Sequence, residues 1–218
     1  MINIAENPVI LFTSPDQRYH FARWGRPIAP VVFGVGDENL PHLKDAIAMT
    51  VGISGGMLVD TDPELGANFM WFFCRDWDEM LVIPDLDKLI PNFVNLITEL
   101  QEKNATRYRS FGFEKNGAIQ LCVVLIRVDA ATERMSLQTL GTSETFQSLL
   151  TFGENAFDVH SPIATIKVNN LCIVKPEYAA VVRAAYDPAL PAASIDPAHA
   201  LRLSARAMKL LADIEDGA

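Results

Sequence analysis

The chain has 218 residues, half of them hydrophobic and 21% charged, with a formal net charge of -9. This balance describes a folded chain with a substantial core, long enough for one large domain or two small ones, and excludes a disordered chain. The acidic excess repels phosphate backbones and anionic lipid, so nucleic acid is not an expected partner.

The first 20 residues read as an N-terminal extension to a single α+β domain spanning 1–218. Within it, apolar Pro8–Phe12 is too short for a signal-peptide core and no basic segment precedes it, so the expected compartment is the cytoplasm. A leader removed from the chain would change that expectation to the periplasm or envelope. Elsewhere no stretch approaches the roughly 18–20 apolar residues of a membrane span.

Ile28–Val35, rich in valine and isoleucine and closing with Gly34 and Gly36, predicts a strand. A helix follows over Leu40–Val51, where Leu43, Ile47 and Val51 recur every four residues, Pro41 suits the first turn, and Gly52, Gly55 and Gly56 end it. Met57–Val59 and Ala67–Cys74 read as strands joined by the acidic turn Asp60–Gly66. Between Asp85 and Lys103, Leu86, Leu89, Ile90, Phe93, Leu96, Ile97 and Leu100 have helical spacing, and Pro91 divides them into two short helices or one kinked helix. Tyr108–Phe113 and Ala118–Val128 form a hairpin around Asn116-Gly117, the second strand being apolar enough to lie centrally in a sheet.

From residue 133 onward the pattern becomes mostly helical, with helices within Arg134–Phe152, Pro176–Tyr186 and Pro197–Ala212. Asp196 caps the last of these and Pro197 takes its first position. Leu201, Ala205, Met208 and Leu211 form its apolar stripe, leaving Arg202, Arg206 and Lys209 on a solvated face. The fold class is therefore α+β, a mixed β-sheet with packed helices and a mostly helical C-terminal third.

The sequence most invites a catalytic reading at Ser143-Glu144-Thr145-Phe146-Gln147. A zinc metallohydrolase helix carries His-Glu-x-x-His at this spacing, because residues four apart share a face and two imidazoles grip the metal while the glutamate activates its water. Here serine and glutamine replace both imidazoles, and His160 is the nearest histidine in sequence. Neutral oxygen ligands suit zinc poorly, so no metal and no other cofactor is expected. The alternative for Glu144 is structural: a helix beginning at Gly141 or Thr142 would place its charge in the first turn, where the macrodipole favours it.

Other constellations are weaker. Gly52-Ile53-Ser54-Gly55 lacks the surroundings of a nucleophile elbow. Gly34-Val35-Gly36 lacks the third glycine of a dinucleotide loop and is followed by Asp37 and Glu38. Asp60, Asp62 and Glu64 alternate like a calcium loop without its central glycine and closing glutamate, and read as a solvated turn. His20, His42, His160 and His199 are scattered, with surface or supporting roles as the default. Trp24, Trp71 and Trp77 and the three cysteines Cys74, Cys122 and Cys172 read as core.

Several segments together resemble a family of uncharacterised proteobacterial proteins, many described as lipoproteins and grouped only as a domain of unknown function. The residues concerned are Arg23-Trp24-Gly25-Arg26-Pro27-Ile28, Ala67-Asn68-Phe69, Ile119–Ile126, Ser143–Gln147 and Tyr186-Asp187-Pro188-Ala189-Leu190, in matching order over roughly residues 20 to 210. Members of that family look like distant relatives of zincin-type metallopeptidases, with Glu-Glu-x-x-Gln in place of His-Glu-x-x-His. The resemblance implies a zincin-like arrangement and carries the motif onto Glu144 and Gln147. Ser143 departs from the family's acidic residue, and Leu150–Asn155 departs from its following Gly-Leu-x-Asn-Asp-like stretch.

Retained order with missing metal ligands suggests a non-catalytic protein- or peptide-binding domain whose groove lies beside the Glu144 helix, with Ser143, Gln147 and His160 as candidate binding residues. One alternative is a peptidase-like hydrolase using Glu144 as general base. The other is a structural subunit of a larger complex. Nothing in the pattern specifies an oligomeric state.

Overall fold

Alternating large apolar residues along two neighbouring strands divide the interior into two cores, one on each side of a central sheet. The computed structural model describes residues 4–166 and 171–216. A two-residue strand β1 (Phe21–Ala22) is followed by β2 (Pro30–Phe33), helix α1 (Leu40–Ser54) and β3 (Phe69–Cys74). Short helices α2 (Asp78–Leu81) and α3 (Leu86–Leu89) lead to α4 (Phe93–Glu102), then to the hairpin β4 (Arg107–Phe113) and β5 (Ile119–Arg127). Helices α5 (Ala130–Arg134) and α6 (Leu137–Ser148), the pair β6 (Ile163–Ile166) and β7 (Leu171–Val174), α7 (Pro176–Ala185), β8 (Ala193–Ser194) and α8 (Ala198–Asp216) follow in turn.

The central sheet has the order β2-β3-β5-β4, with β2, β3 and β5 parallel and β4 antiparallel to β5. It is the mixed sheet of an α+β fold. Phe69, Trp71 and Phe73 of β3 and Cys122, Val124 and Ile126 of β5 join one core, which α1, α6, α7 and α8 cover. Phe72 and Cys74, with Val123 and Leu125, join the other, beneath α2, α3 and α4. A period of two, apolar on both faces, is what a strand covered by helices on each side requires.

Asn68 sets the start of β2 against β3. Its fully buried amide accepts from the Ala29 N–H at 2.7 Å and donates to the Pro27 carbonyl at 2.9 Å and to Asp62 at 3.0 Å. Asp62 is itself buried and paired with Arg26, while its Oδ1 accepts from the Glu64 and Leu65 N–H groups. The expected solvated turn is therefore anchored by a buried carboxylate. The expected strand Met57–Val59 reduces to one bridge, Leu58 to Ile28, because the chain turns away into the Asp62 turn after two backbone bonds. The strand expected over Ile28–Val35 is likewise shorter, since Gly34 has a positive φ of 80° and ends it.

Helix α6 starts earlier than the sequence suggests. Ser136 caps it by accepting from the Thr139 N–H at 3.1 Å, which places Glu144 two turns inside the helix. The macrodipole account of Glu144 thus fails, because that effect fades within the first turn. Pro91 does separate α3 from α4, and Asp196 accepts from the Ala198 N–H at 2.9 Å where α8 begins.

His199 is not at the surface. It is 3% exposed, its Nδ1 lies 2.8 Å from the Tyr19 hydroxyl, and its ring packs 4.2 Å from that of Phe21. With Leu11 and Phe12 also buried, the N-terminal segment is pinned beneath α8. All three cysteines are free and buried, and burial pushes the thiols of Cys74 and Cys122 up to about 12, which leaves them unreactive.

Two outcomes follow from this packing. A Cβ on Gly141 would lie 2.6 Å from the Ala46 Cβ, so α1 and α6 touch through a residue without a side chain. Gly141→Val should lower stability by about 1–3 kcal/mol, read as a reduced urea midpoint with an unchanged slope. Burial, with a smaller contribution from Arg202, holds the His199 imidazole below its ordinary value near 6.5. The unfolded chain takes up that proton first, so stability should fall as pH drops below about 6.5 and level off once the folded form is also protonated. Urea midpoints between pH 7.5 and 5 should show this limb, and His199→Gln should flatten it.

Candidate functional site

Arg107 and Arg109 lie two residues apart on β4, opposite Ile126 and Val124, so both side chains rise from the sheet face that α6 covers. Between them sits the Glu144 carboxylate, with a side chain only 8% exposed. Arg107 Nε donates to Glu144 Oε1 at 3.2 Å, and Arg109 Nη2 donates to Oε2 at 2.7 Å. Arg109 Nε also donates to Ser148 Oγ at 2.8 Å, and that hydroxyl donates to the Glu144 carbonyl at 2.7 Å. Arg107 reaches Thr132 Oγ1 at 3.0 Å, whose hydroxyl donates to Asp129 at 2.8 Å.

These groups form a closed network of two cations and two carboxylates. Hydrogen bonds from the Thr132 N–H and hydroxyl hold the Asp129 carboxyl below its ordinary value. In such surroundings the Glu144 carboxylate joins sheet to helix. A general base must present an oxygen to its substrate, whereas both of these oxygens face guanidinium groups in the interior.

Ser143 and Gln147 are brought together, the Gln147 side-chain amide donating to Ser143 Oγ at 3.2 Å along a half-buried helix face. His160 is not part of this group. It is exposed on the loop after α6, and its backbone carbonyl accepts from the Tyr178 hydroxyl at 3.2 Å. Among the described residues, no hydrogen bond joins its ring to Ser143, Glu144 or Gln147, and no three His, Cys, Asp or Glu side chains converge as a metal site. Arg107 and Arg109 carry the site and were not singled out from sequence. The available signal was a pair of arginines at strand spacing beside the most apolar strand, where alternate positions must face the interior.

Two depressions flank the sheet. A crevice of about 540 Å³ opens at the carboxyl ends of β2 and β3, between Gly34, Asn39, Arg75 and the α6 residues Leu137 and Leu140. The chain leaves β2 toward one sheet face and β3 toward the other, so the crevice occupies the point where the connections diverge. The second is an apolar groove of about 570 Å³, lined by Phe33, Met70, Phe72, Ile83, Leu86 and Leu89. Phe33 is 46% exposed and stacks on Phe72 with ring centroids 4.9 Å apart. Helices α2–α4 cover the middle of this sheet face and leave its β2 end open.

No family model, curated protein or solved structure matches the chain. No described helix is long and apolar enough to cross a membrane.

Glu144→Leu leaves two guanidinium groups facing each other and should cost about 3 kcal/mol. Adding Arg107→Leu and Arg109→Leu should restore much of that loss, because the uncompensated charges go with it. Chemical denaturation of the single and triple variants measures both effects.

Proposed function

We propose that the protein is a non-catalytic protein- or peptide-binding domain. The observation that carries this reading is the open apolar groove at the β2 end of the sheet, where Phe33 presents nearly half of its surface to solvent. Leu81 and Val82, which precede the groove residue Ile83 in the chain, are 43% and 81% exposed. An exposed apolar side chain in a concave apolar site favours association with a partner, since covering it removes apolar area from water. The groove supports this independently of the family resemblance and of a zincin-like scaffold.

A hydrolase using Glu144 takes second place, because Arg107 and Arg109 occupy both carboxylate oxygens. Among the described residues, the hydrogen bond at the Ser143 hydroxyl comes from the Gln147 amide, which is no base. The cleft beside the Glu144 helix is the crevice at Leu137 and Leu140, which is more polar than the β2 groove.

Panning displayed random dodecapeptides against the folded protein tests the reading. Apolar sequences should be enriched relative to an unrelated acidic protein, with synthetic versions binding at about 1–100 μM. Absence of enrichment would sink the proposal. So would cleavage of a quenched-fluorescence peptide mixture that disappears in Glu144→Gln while the variant remains folded.

A further inference from the structure

We infer that the outer edge of β2 receives an extended peptide as an added strand, seating an apolar side chain in the Phe33 groove and flanking it with basic residues. This rests on the peptide-binding reading above and specifies its site and ligand chemistry.

Backbone direction supplies the first argument. Ala29 points inward: its N–H donates to Asn68 Oδ1 at 2.7 Å, and its carbonyl accepts from the Asn68 and Phe69 N–H groups at 3.0 and 3.2 Å. Ile28 points outward, donating to the Met57 carbonyl at 2.9 Å and accepting from the Val59 N–H at 3.0 Å. Because these directions alternate along a strand, Pro30 and Val32 also point outward. Beyond Val59 no described strand continues along this edge. The Pro30 carbonyl and the N–H and carbonyl of Val32 are therefore left for another extended chain, and Met57–Val59 already shows that the edge accepts one.

Side-chain direction supplies the second. Val31 pairs with Met70 and Phe33 with Phe72, so these alternate β2 residues share the groove face. A residue added beside Phe33 would direct its side chain onto Phe33, Ile83 and Leu89.

Charge identifies the kind of strand. Exposed Asp37 and Glu38 follow β2, exposed Asp60 follows the segment already paired at Ile28, and Asp85 and Asp87 belong to the loop and helix bordering the groove. Among the described residues, Lys88 is the one basic side chain lining the groove, and it is ion-paired with Asp85. An acidic surround on a chain of net charge -9 suits a basic-flanked peptide and opposes a second copy presenting the same edge.

The probe is a synthetic library of the pattern Lys-x-Φ-x-Φ-x-Φ-Lys, with Φ any large apolar residue and x neutral and polar, compared with the same library bearing Glu at both ends. The lysine library should yield binders that the glutamate library lacks. Peptide binding should slow hydrogen–deuterium exchange at the Val32 amide, and Phe33→Lys should weaken binding about tenfold or more while the variant still unfolds in one cooperative transition. Binding that neither protects Val32 nor responds to Phe33→Lys would place the peptide elsewhere, overturning the edge assignment while leaving the binding-domain reading intact. Failure of this library alongside successful dodecapeptide panning would do the same, and failure of both would overturn both readings. Concentration-dependent dimerisation that protects Val32 without peptide would assign the edge to a second copy and overturn the peptide inference.

Discussion

The Glu144 carboxylate is held where the sheet meets the helical part of the chain. Arg107 and Arg109 reach it from β4, while Ser148 and Thr132 extend the same contacts to the end of α6 and to α5. A charge this far from water is tolerable because each oxygen receives a guanidinium hydrogen bond and the cations have further partners. The consequence is positional: α6 sits at a defined height over β4 and β5, with Gly141 close against α1 and Phe146 in the core beside α7. That helical layer in turn buries the β3 and β5 residues on one face of the sheet.

The other face is covered incompletely. Helices α2–α4 lie over the middle of the sheet, and the cover thins toward β2, leaving Phe33 stacked on Phe72 but open to water. A parallel strand at the edge of a sheet also carries backbone groups without a ladder partner. In this protein the apolar opening and the unpaired edge coincide, and acidic residues flank both ends of β2. The proposed strand addition rests on that coincidence of apolar opening, unpaired edge and acidic surround.

Much of the architecture was legible because it depends on local pattern. The four-residue repeat of Leu43, Ile47 and Val51, the Asn116-Gly117 turn and the break at Pro91 each mark a nearby backbone constraint, and each has its counterpart in the structure. The start of α6 was misread because Ser136 could be recognised as its cap only once Leu137–Leu140 was known to be helical. His199 was misread for a different reason: its partners Tyr19 and Phe21 lie about 180 residues away in sequence, beyond any local signal.

By itself, the sequence determined an acidic chain with one mixed sheet, an apolar central strand, helices toward its C-terminal end and no imidazoles flanking Glu144. These follow from residue type and short-range spacing, which govern backbone preference and ligand chemistry. Tertiary structure decided that Glu144 is clamped by Arg107 and Arg109, that His160 stands apart from it, and that an open apolar groove lies at β2. Those outcomes depend on which distant segments pack together, because a carboxylate's role is set by the charges and solvent around it rather than by its neighbours along the chain.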